Sequence, residues 1–258
     1  MTTLRVSWAL GDSWTMIGRS IRHIVRNPEQ VVVAVLLPAM ILLVFRYMFG
    51  GAIDTGSTGY ADYLIAGMIV LSVSMNSTST ATAVRSDLSE GFVDRLRSMP
   101  VYNSAVIIGH VAAAVVRNGI STLVMLGVGM LVGFTPRAGL DGWLAVAGLM
   151  LLFSVAMAFL AAILGMVAKT VEGASGLSVM LVFAPYVSSA FAPTDTLPGW
   201  LRVVAENQPI TLVMDTVRPL LLGLPTTGDG WLAVLWWTGI LLVAVPLAGH
   251  LFRPHTPH

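Results

Sequence analysis

Residues Ser89–His110 read SEGFVDRLRSMPVYNSAVIIGH. The first half of this stretch gathers Glu90, Asp94, Arg95 and Arg97, with Asp87 just upstream, while long apolar runs lie on either side. A membrane imposes such segregation, because charges are expelled from hydrocarbon into the connecting segments. The whole chain agrees. Of its 258 residues 56% are hydrophobic and 10% charged, and mean hydropathy is +0.82. A soluble domain carries about 25% charged residues. No ten-residue units of alternating polarity occur, which argues against a β-barrel. The chain therefore reads as an all-α integral membrane protein forming a single domain over residues 1–258.

Six segments approach the ~20 apolar residues a helix needs to cross the hydrocarbon core. They are Val31–Phe49, Tyr63–Val84, Ala105–Phe134, Trp143–Ala168, Gly173–Ala192 and Trp231–Phe252. Pro38, Pro185 and Pro246 fall inside them and are tolerable where neighbouring helices satisfy the freed backbone groups. Basic residues near span ends set orientation. With a cytoplasmic N-terminus, nine lie inside: Arg5, Arg19, Arg22, Arg26, Arg85, Arg95, Arg97, Lys169 and Arg253. Four lie outside, namely Arg46, Arg137, Arg202 and Arg218, and Arg117 is left within a span. Both termini and the Arg85–Tyr102 loop are accordingly expected in the cytoplasm. MTTLRVSWALGDSWTM lacks the basic and apolar regions of a signal peptide, so the N-terminus is expected to be retained.

Two amphipathic pieces accompany the spans. Trp14, Ile17, Ile21 and Ile24 recur at helical spacing before the first span, with Arg19, Arg22, His23 and Arg26 opposite. An interfacial helix over residues 8–26 fits this pattern. In the opening stretch, Leu88, Phe92, Leu96 and Met99 share one helical face, and Asp87, Glu90, Asp94 and Arg97 sit mainly on the others. Pro100 ends the pattern over residues 86–99. Such a helix suits docking on protein, apolar stripe first; an ordinary solvated loop helix fits the spacing equally.

The string RSDLSEGFVDRLRSMPVYNSAVIIGH resembles the cytoplasmic loop of ABC-2 type permeases, the membrane subunits of ABC exporters. Asp87, Gly91, Asp94-Arg95-Leu96, Pro100-Val101 and Gly109 fill that family's places, and His110 stands where a basic residue is usual. A second block, Pro185–Gly223, is similar to the family's late block through Pro185, Ser189, Pro193, Leu197-Pro198, Trp200-Leu201, Asn207, Pro209, Asp215 and Arg218. The branch most similar is that of daunorubicin-resistance and nodulation-factor exporters. The resemblance implies that residues 86–99 form a coupling helix carrying Asp87, Leu88, Glu90, Gly91, Phe92, Asp94, Arg95, Leu96, Arg97 and Pro100 into a partner ATPase. It implies two short outer-leaflet helices within 193–223, bearing Pro198, Trp200, Asn207, Pro209, Asp215 and Arg218. It further implies two ATPase copies, a second permease copy or homologue, a bacterial plasma membrane, and outward movement of a drug, lipid, polyketide or glycolipid.

Other chemistry is thin. The only lysine, Lys169 in GMVAKT, has Ala168 where a phosphate-binding loop needs glycine, so ATP and Mg are expected on the partner, and no cofactor on this chain. No cysteine is present, and the five histidines lack metal-site or hydrolase spacing. A net charge of +1 gives no basis for binding nucleic acid. Ser72, Asn76 and Ser79, in the polar second span, fit either helix packing or the wall of an export path. Arg117 lies about twelve residues into its span, roughly 18 Å deep at 1.5 Å per residue. It fits pairing in the bundle, with Glu172 as one candidate partner, or contact with the solute. Two rival functions remain: a secondary transporter driven by an ion gradient, which would need acids within the spans, and a non-transporting scaffold or sensor.

Overall fold

The structure, a computed structural model, describes residues 28–53, 55, 58–90, 104–226 and 228–252. The interfacial helix expected over 8–26 lies outside these residues, as does the loop from Gly91 to Asn103. The described chain is helical, with α1 at Pro28–Val44 continuing through a π-helical turn at Phe45–Phe49. There follow α2 Tyr60–Ser89, α3 Ser104–Leu131, α4 Leu140–Val167 and α5 Val171–Phe183, the last extended by a 3-10 turn at Ala184–Val187. Two short helices, α6 Gly199–Asn207 and α7 Pro209–Leu222, precede α8 Gly230–Leu251.

Four of these, α2, α3, α4 and α8, are long and apolar enough to cross a membrane. The apolar cores of α1 and α5, Ala34–Phe49 and Val171–Val187, are shorter. The fifth apolar run is expected to reach Ala192, but its α-helix stops at Phe183. Proline lacks an amide donor and clashes with the preceding turn, so Pro185 turns the chain into the 3-10 segment. The second run is longer than its apolar core suggests. Helix α2 continues through Arg85, Asp87 and Leu88 to Ser89, so the start of the expected coupling segment is the last turn of a span.

The most polar of the four long helices occupies the centre. Helix α2 has a mean hydropathy of 1.3 over its best window, 83% of it buried; the outlying α8 reads 2.0 and only 22%. In lipid this order is expected, since side-chain hydroxyls and amides need protein partners and leucines do not. Helix α2 packs against α3, α4 and α5, and α8 lies on α4. Small residues permit close crossing: a Cβ on Gly165 of α4 would collide with the carbonyl of Ala81 in α2.

The connections alternate between two ends of the bundle. At one end, Arg46 Nε donates to Val132 O at 3.2 Å, and Asp62 Oδ1 accepts from the Thr135 amide at 2.8 Å. Helices α6 and α7 lie at this end, where the Arg137 amide donates to Leu221 O at 2.9 Å. The α4–α5 turn lies at the opposite end, where Thr170 caps α5 by accepting from the Gly173 amide at 3.0 Å.

Candidate functional site

Three regions hold the residues singled out from the sequence. The first is the α2–α3 end. His110 Nε2 lies 3.0 Å from Asp87 Oδ2, tying the last turn of α2 to the first turns of α3 across the loop. Ser86 Oγ donates to Glu90 Oε1 at 2.7 Å. Leu88 packs onto an inner apolar cluster that includes Val84, Val106, Ala158 and Phe252. Its periodicity grouped it with Phe92 and Leu96, yet it is engaged with the chain's own helices. Gly91, Phe92, Asp94, Arg95, Leu96, Arg97 and Pro100 lie outside the described residues. The His110 contact is legible only in the fold, because 23 residues separate the partners.

The second region is the middle of the bundle. Helices α1 and α2 leave between them a partly open cavity of about 370 Å3. Its walls include Ala34, Leu37 and Pro38 from α1 and Met75 and Asn76 from α2, with Glu29 at the start of α1. Ser79, one turn beyond Met75, also lines it. Asn76 is buried, and its side-chain amide nitrogen has no hydrogen-bond partner among the described residues. Ser72 does not join the lining; fully buried, it donates to Ile69 O at 2.8 Å within its own helix.

Arg117 stands behind this wall. It is 8% exposed, and its Nη2 donates to Thr80 Oγ1 at 2.8 Å and to Asn76 O at 3.2 Å. Both acceptors are neutral, and among the described residues no carboxylate pairs with it. Glu172, the candidate partner, is exposed in the first turn of α5. One turn along α3 from Arg117, Ser121 Oγ donates to Ala34 O at 3.4 Å. Helix α3 thus fastens both helices that frame the cavity: α2 through Arg117 and α1 through Ser121.

The third region is the α6–α7 end, which carries the late sequence block. Arg218 Nη1 bonds Asp215 Oδ1 at 2.9 Å, Nε donates to Tyr63 O at 3.1 Å, and Nη2 donates to Ser189 O at 2.6 Å. Its guanidinium carbon sits 3.8 Å from the centre of the Tyr63 ring. Ser189 Oγ donates to Asp215 Oδ1 at 2.6 Å, and Tyr63 Oη donates to Ser189 O at 2.9 Å. Arg218 therefore joins α7, the end of α5 and the start of α2 through one planar group. Pro209 opens α7, where its missing amide costs nothing, and its carbonyl accepts from Trp237 Nε1 at 3.1 Å. Pro198 precedes α6, and Asn207 closes it by donating to Val203 O at 2.8 Å. Trp200, Val203 and Val204 are exposed, whereas Ala205 is fully buried. One face of α6 is thus left to its surroundings.

Among the described residues no group of histidine, aspartate and glutamate is arranged to hold a metal ion. The acids of the long helices, Asp62, Asp87 and Asp141, all sit in terminal turns. Among the described residues the buried polar side chains are hydroxyls and amides, together with Arg117.

Comparison with known proteins follows the same outline. Residues 12–222 match the family model described as ABC-2 type transporter. The daunorubicin resistance ABC transporter permease protein DrrB1 of Streptomyces coeruleorubidus is 27% identical over 251 residues, covering 97% of this chain and 89% of that protein. The probable doxorubicin resistance ABC transporter permease protein DrrC of Mycobacterium tuberculosis is 26% identical over 225 residues, covering 86% and 82%. A putative transport permease, ycf38, of Porphyra purpurea is 23% identical over 211 residues, covering 79% and 71%.

Proposed function

The chain belongs to the ABC-2 type transporter family and is a multi-pass membrane permease; from that premise we propose that it exports a hydrophobic or amphipathic solute, powered by a separate ATPase chain. The observation that carries this reading is the continuous family match across residues 12–222, which includes both the α2–α3 loop and the α6–α7 block. The drug-resistance names of two relatives support a solute of amphipathic character. Among the described residues the acids of the long helices sit in their terminal turns, which counts against coupling to protons or sodium, since that would need carboxylates within the spans.

In this reading all six long apolar runs cross the bacterial plasma membrane. The alternation of connections between two bundle ends supports that count, and α1 and α5 cross at their shorter length. Residues 86–99 dock into the ATPase, with α2 as the rod that receives its movement. Helices α6 and α7 lie in the outer leaflet. A near-symmetric motor of two ATPases implies two permease halves.

The reading is tested by purifying the chain with a candidate ATPase chain that carries the phosphate-binding loop and reconstituting both in lipid. ATP turnover should rise when the permease is present. Phe92→Ala should weaken the association by roughly thirtyfold, as truncating a buried aromatic anchor costs about 2 kcal/mol. Paired charge reversal at Asp94 and Arg97 should mainly slow assembly. Equal association and turnover for the parent and Phe92→Ala would remove the coupling-helix assignment.

A further inference from the structure

We propose that α1 is hinged at Pro38, and that the Ser121 hydroxyl of α3 is the latch that holds the N-terminal half, residues 28–37, in the observed position. Only the use of this swing in transport rests on the exporter reading. The physical basis is a missing amide. In an α-helix the carbonyl of residue 34 accepts from the amide of residue 38. Proline has no such amide, and its ring crowds the same turn. Pro38 lies inside α1, so the Ala34 carbonyl loses its ordinary donor. Ser121 Oγ, fully buried on α3, donates to that carbonyl at 3.4 Å. A hydroxyl from a neighbouring helix thus stands in for the amide that proline removed, as hydrocarbon requires.

The two halves of α1 are fixed differently. Beyond Pro38, Leu42 is fully buried, the Phe45 ring lies 4.4 Å from that of Phe191, and Arg46 Nε donates to Val132 O at 3.2 Å. Burial, ring contact and a charge-assisted bond all hold this half. Before Pro38, Val32, Leu36 and Leu37 are exposed. Ala34, Leu37 and Pro38 border the partly open cavity toward α2, which gives residues 28–37 room to move.

A proline turn is also where a helix bends. The Ser121 bond, at 3.4 Å, is at the long end for a hydroxyl donor and so is easily released. Water in a widened gap can then take over the carbonyl. Two positions of the same half-helix differ by little more than one hydrogen bond, which is the balance a bistable element needs.

The test measures distances within the full-length chain in lipid nanodiscs without ATPase. The chain has no native cysteine, so spin labels can be placed in pairs. One label sits at exposed Leu235 of α8, a helix that packs on α4 and α7. The second sits at Val32, before the hinge, or at Met48, beyond it; both are exposed. Labelled chain is diluted with unlabelled chain, so that only pairs within one molecule report. The parent should give one main distance for each pair. Ser121→Ala should raise a second, displaced Val32 distance about fivefold, the ratio that one hydrogen bond of ~1 kcal/mol supplies. The Met48 distance should not change. Pro38→Ala returns the amide to the helix. It should give a single Val32 distance, and adding Ser121→Ala should then change nothing. Such non-additivity is expected only if Ser121 acts through the carbonyl that Pro38 frees.

Ser121→Ala with the Val32 distances of the parent would overturn the latch and leave the bond as plain backbone satisfaction. A Met48 shift as large as the Val32 shift would mean that α1 moves as one rod, which overturns the hinge. An equal effect of Ser121→Ala with and without Pro38 would break the link between the two residues. With ATPase and ATP added, the displaced Val32 population of the parent should grow. No growth while the permease stimulates ATP hydrolysis would overturn the swing as a transport step. Absence of any stimulation would instead remove the exporter reading and leave the hinge standing.

Discussion

Arg117 poses the sharpest energetic question at the level of single residues. A guanidinium in hydrocarbon costs at least about 2.5–3.5 kcal/mol on insertion scales, and no carboxylate offsets it among the described residues. Its acceptors do not need it, because a carbonyl within α2 already receives the helix bond of the residue four positions on. Removing the charge should therefore cost little stability. Arg117→Leu should change the unfolding temperature in detergent by no more than a few degrees, yet lower ATP-driven transport about tenfold. A large drop in unfolding temperature with transport intact would show that the residue serves folding instead. Arg218 contrasts with it. Its three donors face three separate acceptors, and it also covers the Tyr63 ring. Lysine cannot reproduce a planar fork, so Arg218→Lys should destabilise the chain by about 1–3 kcal/mol, measured by denaturation in mixed micelles.

Helices meet where side chains shrink. Helix α2 runs through the centre, and its crossing with α4 depends on the absence of a Cβ at Gly165. Gly165→Leu should push the two helices apart and expose hydroxyls that α2 buries. Overpacking of this kind costs about 1–3 kcal/mol or more, and proteolysis or a lowered unfolding temperature would register it. An unchanged profile would mean that the crossing is looser than the Ala81 contact implies. The α2–α3 end is held by a different device. Asp87 and His110 join the end of α2 to the start of α3, so in the proposed coupling reading a push on the segment between them would act on both helices. Asp87→Asn should leave the permease folded but reduce its stimulation of the ATPase, a split readable by comparing thermal stability with ATP turnover.

At the scale of the whole molecule, orientation can be checked directly, since the chain has no native cysteine. Asp195 and Asp229 are exposed at the α6–α7 end, and Lys169 and Glu172 at the opposite end. Single cysteines at Asp195 and Asp229 should react with an impermeant thiol reagent in whole cells. Cysteines at Lys169 and Glu172 should react only after lysis. The reverse pattern would invert the molecule and move Glu29 to the outer surface.

Much of this design is written in one dimension. Hydrocarbon admits only long apolar segments with their backbone satisfied internally, so composition and run length alone establish a helical membrane protein and roughly where its helices lie. The prolines at 185, 198 and 209 mark local breaks for the same reason, because a missing amide acts on its own turn. The family, too, is legible in the α2–α3 loop and the late block. What the linear chain left open was every relation between distant residues. Spacing could not tell whether Asn76 packs or lines a cavity, because its helical neighbours are the same in both cases. It offered Glu172 to Arg117, whereas the bundle supplies the neutral oxygens of α2. It gave no sign that His110 meets Asp87, that Arg218 reaches Tyr63 and Ser189, or that Glu29 shares a cavity with Asn76. Those pairings depend on which faces the helices turn toward one another. Only close packing of the whole bundle decides that, because in lipid the apolar stripe of each helix does not say which neighbour it will meet.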